Sequence, residues 1–141
     1  MVIDFPSILI TDDDRSFRET LSCMFEPRGF RTILAGDGEE ALSILHNQVV
    51  HLLLLDMHMP KLTGLEVLKR VRQFSSRLPC IILSADADES LVRQAQMAQA
   101  FSVLSKPVTR EKITGTVEQA LSRTYNWNTD RNRNTDRHSG G

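Results

Sequence analysis

The stretch His51–Pro60, HLLLLDMHMP, decides the fold, because an apolar run ends there in a single carboxylate. The run extends from Val49 to Leu55 and is far shorter than the roughly 18 residues that cross a membrane. Its length and apolarity favour a strand buried on both faces of a parallel sheet, although a buried helix gives a similar pattern. As a strand, it would place Asp56 at the carboxyl end of a central strand, where open α/β sheets bind their ligands.

The composition indicates one soluble globular domain with a tail. The 141 residues are 40% apolar and 25% charged, and a net charge of -1 argues against nonspecific nucleic-acid binding. Residues 1–6 contain neither the basic region nor the long apolar core of a signal peptide, so we expect a cytoplasmic protein. Cys23 and Cys80 lie in apolar segments without metal-ligand spacing, which predicts buried, reduced thiols.

Short apolar runs alternate along the chain with segments of helical periodicity. Strands are predicted at Ser7–Thr11, Phe30–Ala35, Val49–Leu55, Pro79–Ser84 and Phe101–Ser105. Helices are predicted to begin after Asp13 or Asp14, after Asp37, at or just after Gly64, within Asp86–Glu89 and after Thr109. This βαβαβαβαβα order predicts an α/β fold, with helices on both faces of a parallel sheet. The third strand is the most apolar and the second the least, which suits the centre and an edge of that sheet.

The domain is predicted over residues 1–124, followed by a polar tail or linker over residues 125–141. Within residues 126–141, Asn-Thr-Asp-Arg occurs twice, at Asn128 and at Asn134, and Trp127 is the only large apolar residue. Such a composition buries too little apolar surface to fold by itself. A partner-binding segment that uses Trp127 and the arginines is the alternative interpretation.

Polar side chains follow four of the five predicted strands at the point where each strand ends. They are Asp12 and Asp13, Asp56, Ser84 and Lys106. The carboxyl ends of parallel strands face one way, so three carboxylates would converge and disfavour one another's ionised form unless a cation intervenes. Mg²⁺, a hard cation that prefers oxygen ligands, is the cation expected, with Lys106 as a second positive charge and Ser84 as a hydroxyl donor.

This group of side chains suits phosphoryl transfer. One carboxylate can act as the nucleophile and form an acyl phosphate, while the cations neutralise the phosphoryl oxygens. We predict Asp56 as that nucleophile, because it is the most central carboxylate and the least needed for the metal. Each motif by itself is common in turns and helix caps, and the specificity lies in their joint occurrence in this order.

With these residues the chain resembles the receiver domain of bacterial two-component response regulators, of the chemotaxis-regulator type, over about residues 7–124. The resemblance rests on Asp12-Asp13, Asp56-x-x-Met59-Pro60 with Gly64, Ser84-Ala85 and Lys106-Pro107. It implies a flavodoxin-like, doubly wound sheet of five parallel strands in the order 2-1-3-4-5, with five helices. It also implies a cis peptide bond before Pro107.

The resemblance implies roles for the acidic residues. Asp56 would accept a phosphoryl group from a sensor-kinase phosphohistidine or from a small donor such as acetyl phosphate. Asp13 and Asp56 would bind Mg²⁺ directly, Asp12 through water, and His58 through its backbone carbonyl. The side chains of His58 and Asp86 lie at positions similar to those that tune phosphate lifetime in this family, with ordinary loop residues as the alternative.

By the same resemblance, phosphate recognition falls to Ser84, Ala85 and Lys106. Lys106 would pair with the phosphoryl group, and Ser84 would move toward it and donate a hydrogen bond, which shifts the surface of helix 4, strand 5 and helix 5. The implied protein is a phosphoacceptor signalling domain that catalyses only its own phosphorylation and dephosphorylation.

The implied partners are a sensor histidine kinase or phosphotransfer protein and an output partner that the sequence does not identify. A homodimer through helix 4, strand 5 and helix 5 is a further expectation. Neither direct nucleic-acid binding nor membrane association is expected for this chain, since the residues after 125 leave no room for a DNA-reading helix-turn-helix.

Strand 5 departs from the receiver pattern. Val103 stands where an aromatic residue often precedes the lysine by three positions, and Phe101 is expected one step further out on the same face of the strand. Gln99 replaces a common glycine before this strand. The aromatic rotamer switch of the family is therefore not expected here. Either Ser84 is coupled to the output surface in another way, or the output is weaker.

Three other functions compete with this interpretation. Asp12-x-Asp14-x-Ser16 resembles the first motif of haloacid-dehalogenase-type phosphatases, in which Asp12 would be the nucleophile and Asp14 the acid/base. A phosphorylation-independent interaction module would suit Val103 but not the intact acidic residues. A flavodoxin-like electron carrier would need a phosphate-binding loop after strand 1, where this chain has three acids instead.

Overall fold

The computed structural model describes residues 3–127, in which five strands form one sheet. The strands are β1 (Ser7–Thr11), β2 (Arg31–Ala35), β3 (Leu52–Asp56), β4 (Cys80–Ser84) and β5 (Ser102–Ser105). Their order is β2-β1-β3-β4-β5, and every neighbouring pair is parallel. The predicted strand order is confirmed, and β3, which ends in Asp56, lies at the centre of the sheet.

Each of the five helices starts at a side chain that caps its first turn. The helices are α1 (Arg15–Phe25), α2 (Gly38–Asn47), α3 (Gly64–Phe74), α4 (Glu89–Met97) and α5 (Arg110–Tyr125). The caps are Asp14, Asp37, Thr63, Asp88 and Thr109, whose side-chain oxygens accept hydrogen bonds from backbone amides of the following turn. These bonds satisfy amides at the start of each helix and fix where the chain leaves the carboxyl edge of the sheet.

Alternate residues of β3 point into two separate cores. Leu53 and Leu55 pack with α2, α3 and α4, whereas Leu52 and Leu54 pack with α1 and α5. All four leucines are buried, which explains why this strand is apolar without interruption. Within residues 3–127, none of the helices combines the length and the apolarity that a membrane span requires.

Two predictions about buried residues are wrong. Residues 48–51 connect α2 to β3, so the strand starts at Leu52 and Val49 is 75% exposed. Cys23 is exposed, because the inward positions of its helix are taken by other side chains. Cys80 is buried as predicted, and burial raises the pKa of its thiol to about 12. Both cysteines are free thiols.

Phe101 does not share a face with Val103, which corrects a further prediction. Val103 packs into the core beneath α2, α3 and α4, whereas Phe101 packs into the core beneath α1 and α5. The alternation of strand faces begins only at Ser102, where β5 starts. Just before it, Gln99 adopts a left-handed conformation with a φ of 65° and turns the chain.

The packed part of the chain extends beyond the predicted boundary at residue 124. The last helix continues to Tyr125, and Asn126 follows it in a left-handed conformation. Trp127 is buried, and its ring centroid lies 5.3 Å from that of Phe30. Packing against the core thus continues to residue 127, and the domain boundary itself stays a prediction. The predicted tail from 128 to 141 lies outside the described residues.

Candidate functional site: an acidic cluster at the carboxyl edge of the sheet

Four strand ends bring polar side chains together at one edge of the sheet. Asp12 and Asp13 follow β1, Asp56 ends β3, Ser84 ends β4, and Lys106 follows β5. The bond between Lys106 and the next residue, a proline, is cis, as predicted. Because all five strands are parallel, these side chains emerge on the same side.

Three carboxylates form the centre of this edge. Oxygens of Asp12, Asp13 and Asp56 lie within 4.8 Å of one another. Asp12 is 1% exposed and Asp56 5% exposed, whereas Asp13 is open to solvent. Two buried carboxylates therefore lie next to an accessible one.

Lys106 is the cation of this cluster. Its Nζ lies 3.0 Å from Asp12 Oδ2 and 3.1 Å from Asp56 Oδ1. The ring centroid of Phe17 lies 4.4 Å from the same nitrogen, close enough for a cation–π attraction. Together with the Arg18 guanidinium, which contacts the Asp12 backbone carbonyl, two cationic side chains face three carboxylates, so an excess of negative charge remains at this edge.

Burial and neighbouring charges shift the protonation equilibria of Asp56 and Lys106. Burial, followed by the charge of Asp12, raises the pKa of Asp56, although Lys106 and a hydrogen bond from the His58 backbone amide oppose the shift. Burial lowers the pKa of Lys106, but its hydrogen bonds and charge interactions with the two carboxylates outweigh burial, so the pKa is raised. The lysine is therefore charged at neutral pH, and a further cation would favour the ionised form of Asp56.

Ser84 is fully buried at the end of β4, and its hydroxyl contacts two loop residues. Its Oγ accepts a hydrogen bond from the Asp86 backbone amide at 3.0 Å and lies 3.4 Å from Nε2 of His58. The same Nε2 lies 3.7 Å from Oδ2 of Asp86. The hydroxyl is thus held at the rim of the acidic cluster.

Gly64 allows the loop after Asp56 to fold back onto the strand end. Its amide donates a hydrogen bond to the Met57 carbonyl at 3.0 Å. A Cβ atom at this position would lie 2.6 Å from the Asp56 carbonyl oxygen, which is backbone and cannot rotate away. Only glycine therefore allows the loop to pass this close to the end of the strand at Asp56.

Phe17 and Arg18, both in α1, belong to this edge although the sequence analysis did not select them. Arg18 Nη1 donates a hydrogen bond to the Asp12 backbone carbonyl at 2.6 Å, and the Asp14 amide donates to Asp12 Oδ1 at 2.8 Å. Phe17 and Arg18 lie three and four residues after the helix cap, which is one turn of helix. That spacing places both residues in the first turn of α1 near this edge, whereas their contacts depend on how the helix is rotated over the sheet.

The residues of the cluster fit Mg²⁺. Clustered carboxylate oxygens are the hard ligands that this cation prefers, and a divalent cation would offset the excess negative charge. Asp12, Asp13 and Asp56 are the side chains that would hold it. These carboxylates would therefore suit a divalent cation beside the buried side chain of Asp56.

Three sequence predictions concern residues whose roles the geometry does not test. Ala85 lies exposed in the turn after β4, directly beyond Ser84. His58 contributes a backbone amide to Asp56, and metal binding by its carbonyl stays a prediction. Val103 is half-buried on the face of β5 toward α4, where the family often has an aromatic ring.

Comparison with known proteins agrees with the resemblance. Residues 8–118 match the family model of the response regulator receiver domain. A probable chemotaxis protein CheY of Rhizobium etli is 39% identical over 114 residues, which cover 79% of this chain and 88% of that protein. Response regulator RR06 of Streptococcus pneumoniae is 32% identical over 119 residues, which cover 84% of this chain and 54% of that protein. This chain thus spans about half the length of the second relative.

A solved structure shares both the fold and the sequence similarity. In the CheX-CheY-BeF3-Mg complex from Borrelia burgdorferi, the matching chain superposes with a TM-score of 0.77 at 30% identity. The match covers 82% of this chain and 89% of that one. The five-stranded, doubly wound fold expected from the sequence is therefore shown by strand order and by structural similarity.

Proposed function

The chain belongs to the response regulator receiver family, and on that premise we propose that it accepts a phosphoryl group on Asp56 within a two-component phosphorelay. The observation that carries the proposal is the environment of this carboxylate. Asp56 is buried at the centre of the sheet, 3.1 Å from Lys106 Nζ and clustered with Asp12 and Asp13. The proposed nucleophile, a fixed cation and the proposed divalent-cation site are thus adjacent.

In the proposed reaction, a carboxylate oxygen of Asp56 attacks the phosphorus of a phosphohistidine on a sensor kinase or phosphotransfer protein. The O–P bond forms as the P–N bond breaks, and the donor imidazole leaves with the electron pair of that bond. The product is an acyl phosphate. Water later attacks its phosphorus, releases inorganic phosphate and a proton, and restores the carboxylate.

Lys106, Ser84 and Ala85 are proposed to bind the phosphoryl group. The Lys106 ammonium lies between Asp12 and Asp56. It could pair with a phosphoryl oxygen once Asp56 is phosphorylated. Such preorganised donors stabilise charge on the transferred group. Ser84 would donate a hydrogen bond from the neighbouring strand end, and Ala85 follows it in the turn.

Mg²⁺ is proposed to bind at Asp12, Asp13 and Asp56, with the His58 backbone carbonyl as a further ligand. When bound, the cation neutralises negative charge on the phosphoryl oxygens. Asp13, the exposed carboxylate, would receive it from solvent, and the two buried carboxylates would fix its position.

Output is proposed to pass through the surface of α4, β5 and α5. Val103 is half-buried and has no aromatic ring that could change rotamer when Ser84 moves. The coupling between the phosphorylation site and this surface is therefore expected to differ from the coupling that is usual in the family. The sensor kinase or phosphotransfer protein and the output protein are proposed by analogy with the family. The homodimer through this surface and the cytoplasmic localisation stay predictions.

The test is intact mass spectrometry after incubation with acetyl phosphate and Mg²⁺. The wild type should gain one phosphoryl group, and the gain should disappear with EDTA and in Asp56→Asn. Asp37→Asn is the matched control, because it makes the same chemical change at the cap of α2 and asparagine also caps helices. A wild type that gains no phosphoryl group, or an Asp56→Asn variant that gains as much, would overturn the proposal.

The phosphatase alternative is disfavoured by the position of Asp14. Its carboxylate accepts hydrogen bonds from the amides of Ser16 and Phe17 as the cap of α1, so it serves the helix and not the acidic cluster. The cluster consists instead of Asp12, Asp13 and Asp56. Phosphorylation that survives in Asp56→Asn but disappears in Asp12→Asn would support the phosphatase alternative.

A further inference from the structure

The imidazole of His58 has no part in the proposed function, which uses only the backbone of this residue. Its Nε2 nevertheless lies 3.4 Å from Ser84 Oγ and 3.7 Å from Asp86 Oδ2. The His58 side chain is 57% exposed and so approaches the hydroxyl from the solvent side of the site. This places a hydrogen-bonding ring directly beside the group that is proposed to contact the phosphoryl oxygens.

The carboxylate of Asp86 lies on the side of the His58 ring that carries Nε2 and favours one of its two neutral tautomers. An ionised carboxylate only accepts hydrogen bonds, so it favours the tautomer with a proton on the nitrogen that faces it. That nitrogen is Nε2. With the hydrogen on Nε2, the ring donates to Ser84 Oγ at 3.4 Å, while Asp86 Oδ2, at 3.7 Å, attracts the N–H group electrostatically and is too distant for a hydrogen bond.

Ser84 Oγ consequently faces two donors. One is the Asp86 backbone amide at 3.0 Å, and the other is the imidazole Nε2–H at 3.4 Å. A hydroxyl group has two acceptor lone pairs and a single O–H. With both lone pairs engaged, only the O–H remains, and it has to point away from both donors.

We propose that His58 is a positioning residue that, together with the Asp86 amide, saturates the acceptor capacity of Ser84. The serine then meets the phosphoryl group on Asp56 as a hydrogen-bond donor that is already oriented. This inference rests on the proposed function of Asp56 and concerns how that site is prepared before phosphorylation. Because the hydroxyl of Ser84 is already oriented, less entropy is lost when the phosphoryl group binds to it.

The first test measures beryllofluoride affinity by isothermal titration calorimetry with Mg²⁺ present. His58→Leu should bind about two- to tenfold more weakly than the wild type, which is the factor expected for one hydrogen bond between neutral groups. His58→Gln, whose amide N–H can replace the donor, should recover most of the loss. In the Ser84→Ala background, His58→Leu should cause no further loss, because the acceptor is gone.

The outcomes separate this inference from the function on which it rests. Equal affinities for wild type and His58→Leu, or the same loss in the Ser84→Ala background, would overturn the inference while Asp56 remains the phosphoacceptor. If the wild type binds no beryllofluoride, the proposed function fails instead.

A second measurement decides the tautomer without any ligand. Nitrogen-15 NMR of the neutral His58 ring should show the hydrogen on Nε2. Asp86→Ala keeps the backbone amide and removes the carboxylate, so it should reduce this preference. A hydrogen found mainly on Nδ1 in the wild type would overturn the inference.

Discussion

Burial disfavours the charged form of side chains at both ends of the sheet, but the two ends differ in the charged groups that lie nearby. At the amino end, Nδ1 of His51 accepts a hydrogen bond from the Ser7 amide at 2.9 Å, and Tyr125 meets the imidazole edge-on with centroids 5.6 Å apart. Burial, followed by the charge of Arg31, lowers the pKa of His51, and burial raises the pKa of Tyr125. Both side chains are therefore held in their neutral forms.

The carboxyl end instead sets carboxyl groups against a charged lysine. Burial raises the pKa of Asp56 as well, but Lys106 opposes the shift, and Asp12 stays in the same cluster. A sheet end that is neutral and hydrogen-bonded contributes stability, whereas one that retains buried like charges is prepared to bind a cation. The comparison indicates that the functional site lies at the end where ionisable groups are buried close together, and not at the end where the buried polar groups are neutral.

The largest expected effect comes from removing the cation of the carboxyl end. Lys106→Met keeps the length of the side chain and removes the ammonium that contacts Asp12 and Asp56. Phosphorylation by acetyl phosphate should slow about 100-fold. The free energy of unfolding should fall by about 1–3 kcal/mol, because two buried carboxylates lose a partner. Time-resolved mass spectrometry and urea unfolding measure the two effects.

Lys112→Met is the control for that change, because Lys112 lies exposed in α5. It should leave both the rate and the stability near those of the wild type. A Lys106→Met variant that is phosphorylated at the wild-type rate would contradict the proposed role of Lys106 in phosphorylation.

Gly64→Ala should disturb the carboxyl end through the backbone alone. The new Cβ would meet the Asp56 carbonyl oxygen at 2.6 Å, so the loop has to shift, at a cost of about 1–3 kcal/mol in stability and with slower phosphorylation. Gly115→Ala, in α5 with open space around its Cβ, should instead stabilise by about 0.5–1 kcal/mol. Chemical denaturation of the pair measures the contrast, and equal stabilities would show that the close approach at Gly64 is unimportant.

His51→Ala should affect stability and leave the chemistry intact. The Ser7 amide loses its acceptor and Tyr125 loses its ring contact, which should cost about 1–2 kcal/mol. The rate of phosphorylation should stay within about twofold of the wild type when measured below the unfolding transition. A large fall in that rate would mean that the two ends are coupled and cannot be described separately.

The smallest effect is the pH dependence of the amino end. The folded-state pKa of His51 lies below its ordinary value of 6.5, so its full contribution to stability is present above pH 6.5. As the pH falls below 6.5, the unfolded chain takes up a proton before the folded one does, and that contribution is lost. Urea unfolding from pH 7.5 to 5 should therefore show wild type losing stability relative to His51→Gln. A constant difference across this range would contradict the shift.

The central carboxylate could be predicted from sequence because one pattern fixes several properties at once. The apolar run before Asp56 determines burial on both faces, and its abrupt end determines the edge at which the side chain emerges. Ser84 and Lys106 follow from the same logic at the ends of β4 and β5. Parallel alternation of strands and helices then brings all three to one edge, so no knowledge of side-chain rotamers is needed.

Contacts between elements could not be predicted in this way. The approach of Phe17 to Lys106 depends on how α1 is rotated over the sheet, which helical spacing alone does not give. Cys23 lies in an apolar segment, yet the rotation of the same helix leaves it exposed. Phe101 lies on the face opposite to the predicted one, because strand alternation does not extend to residues before Ser102, where β5 begins.

The measurement that tests the central claim most directly traps the acyl phosphate where it forms. After incubation with acetyl phosphate and Mg²⁺, hydroxylamine converts an acyl phosphate into a hydroxamate on the same carboxyl group, and peptide mapping by mass spectrometry locates it. The account predicts a hydroxamate on Asp56, at the end of the central strand. A hydroxamate on Asp12, with Asp56 unmodified, would contradict it.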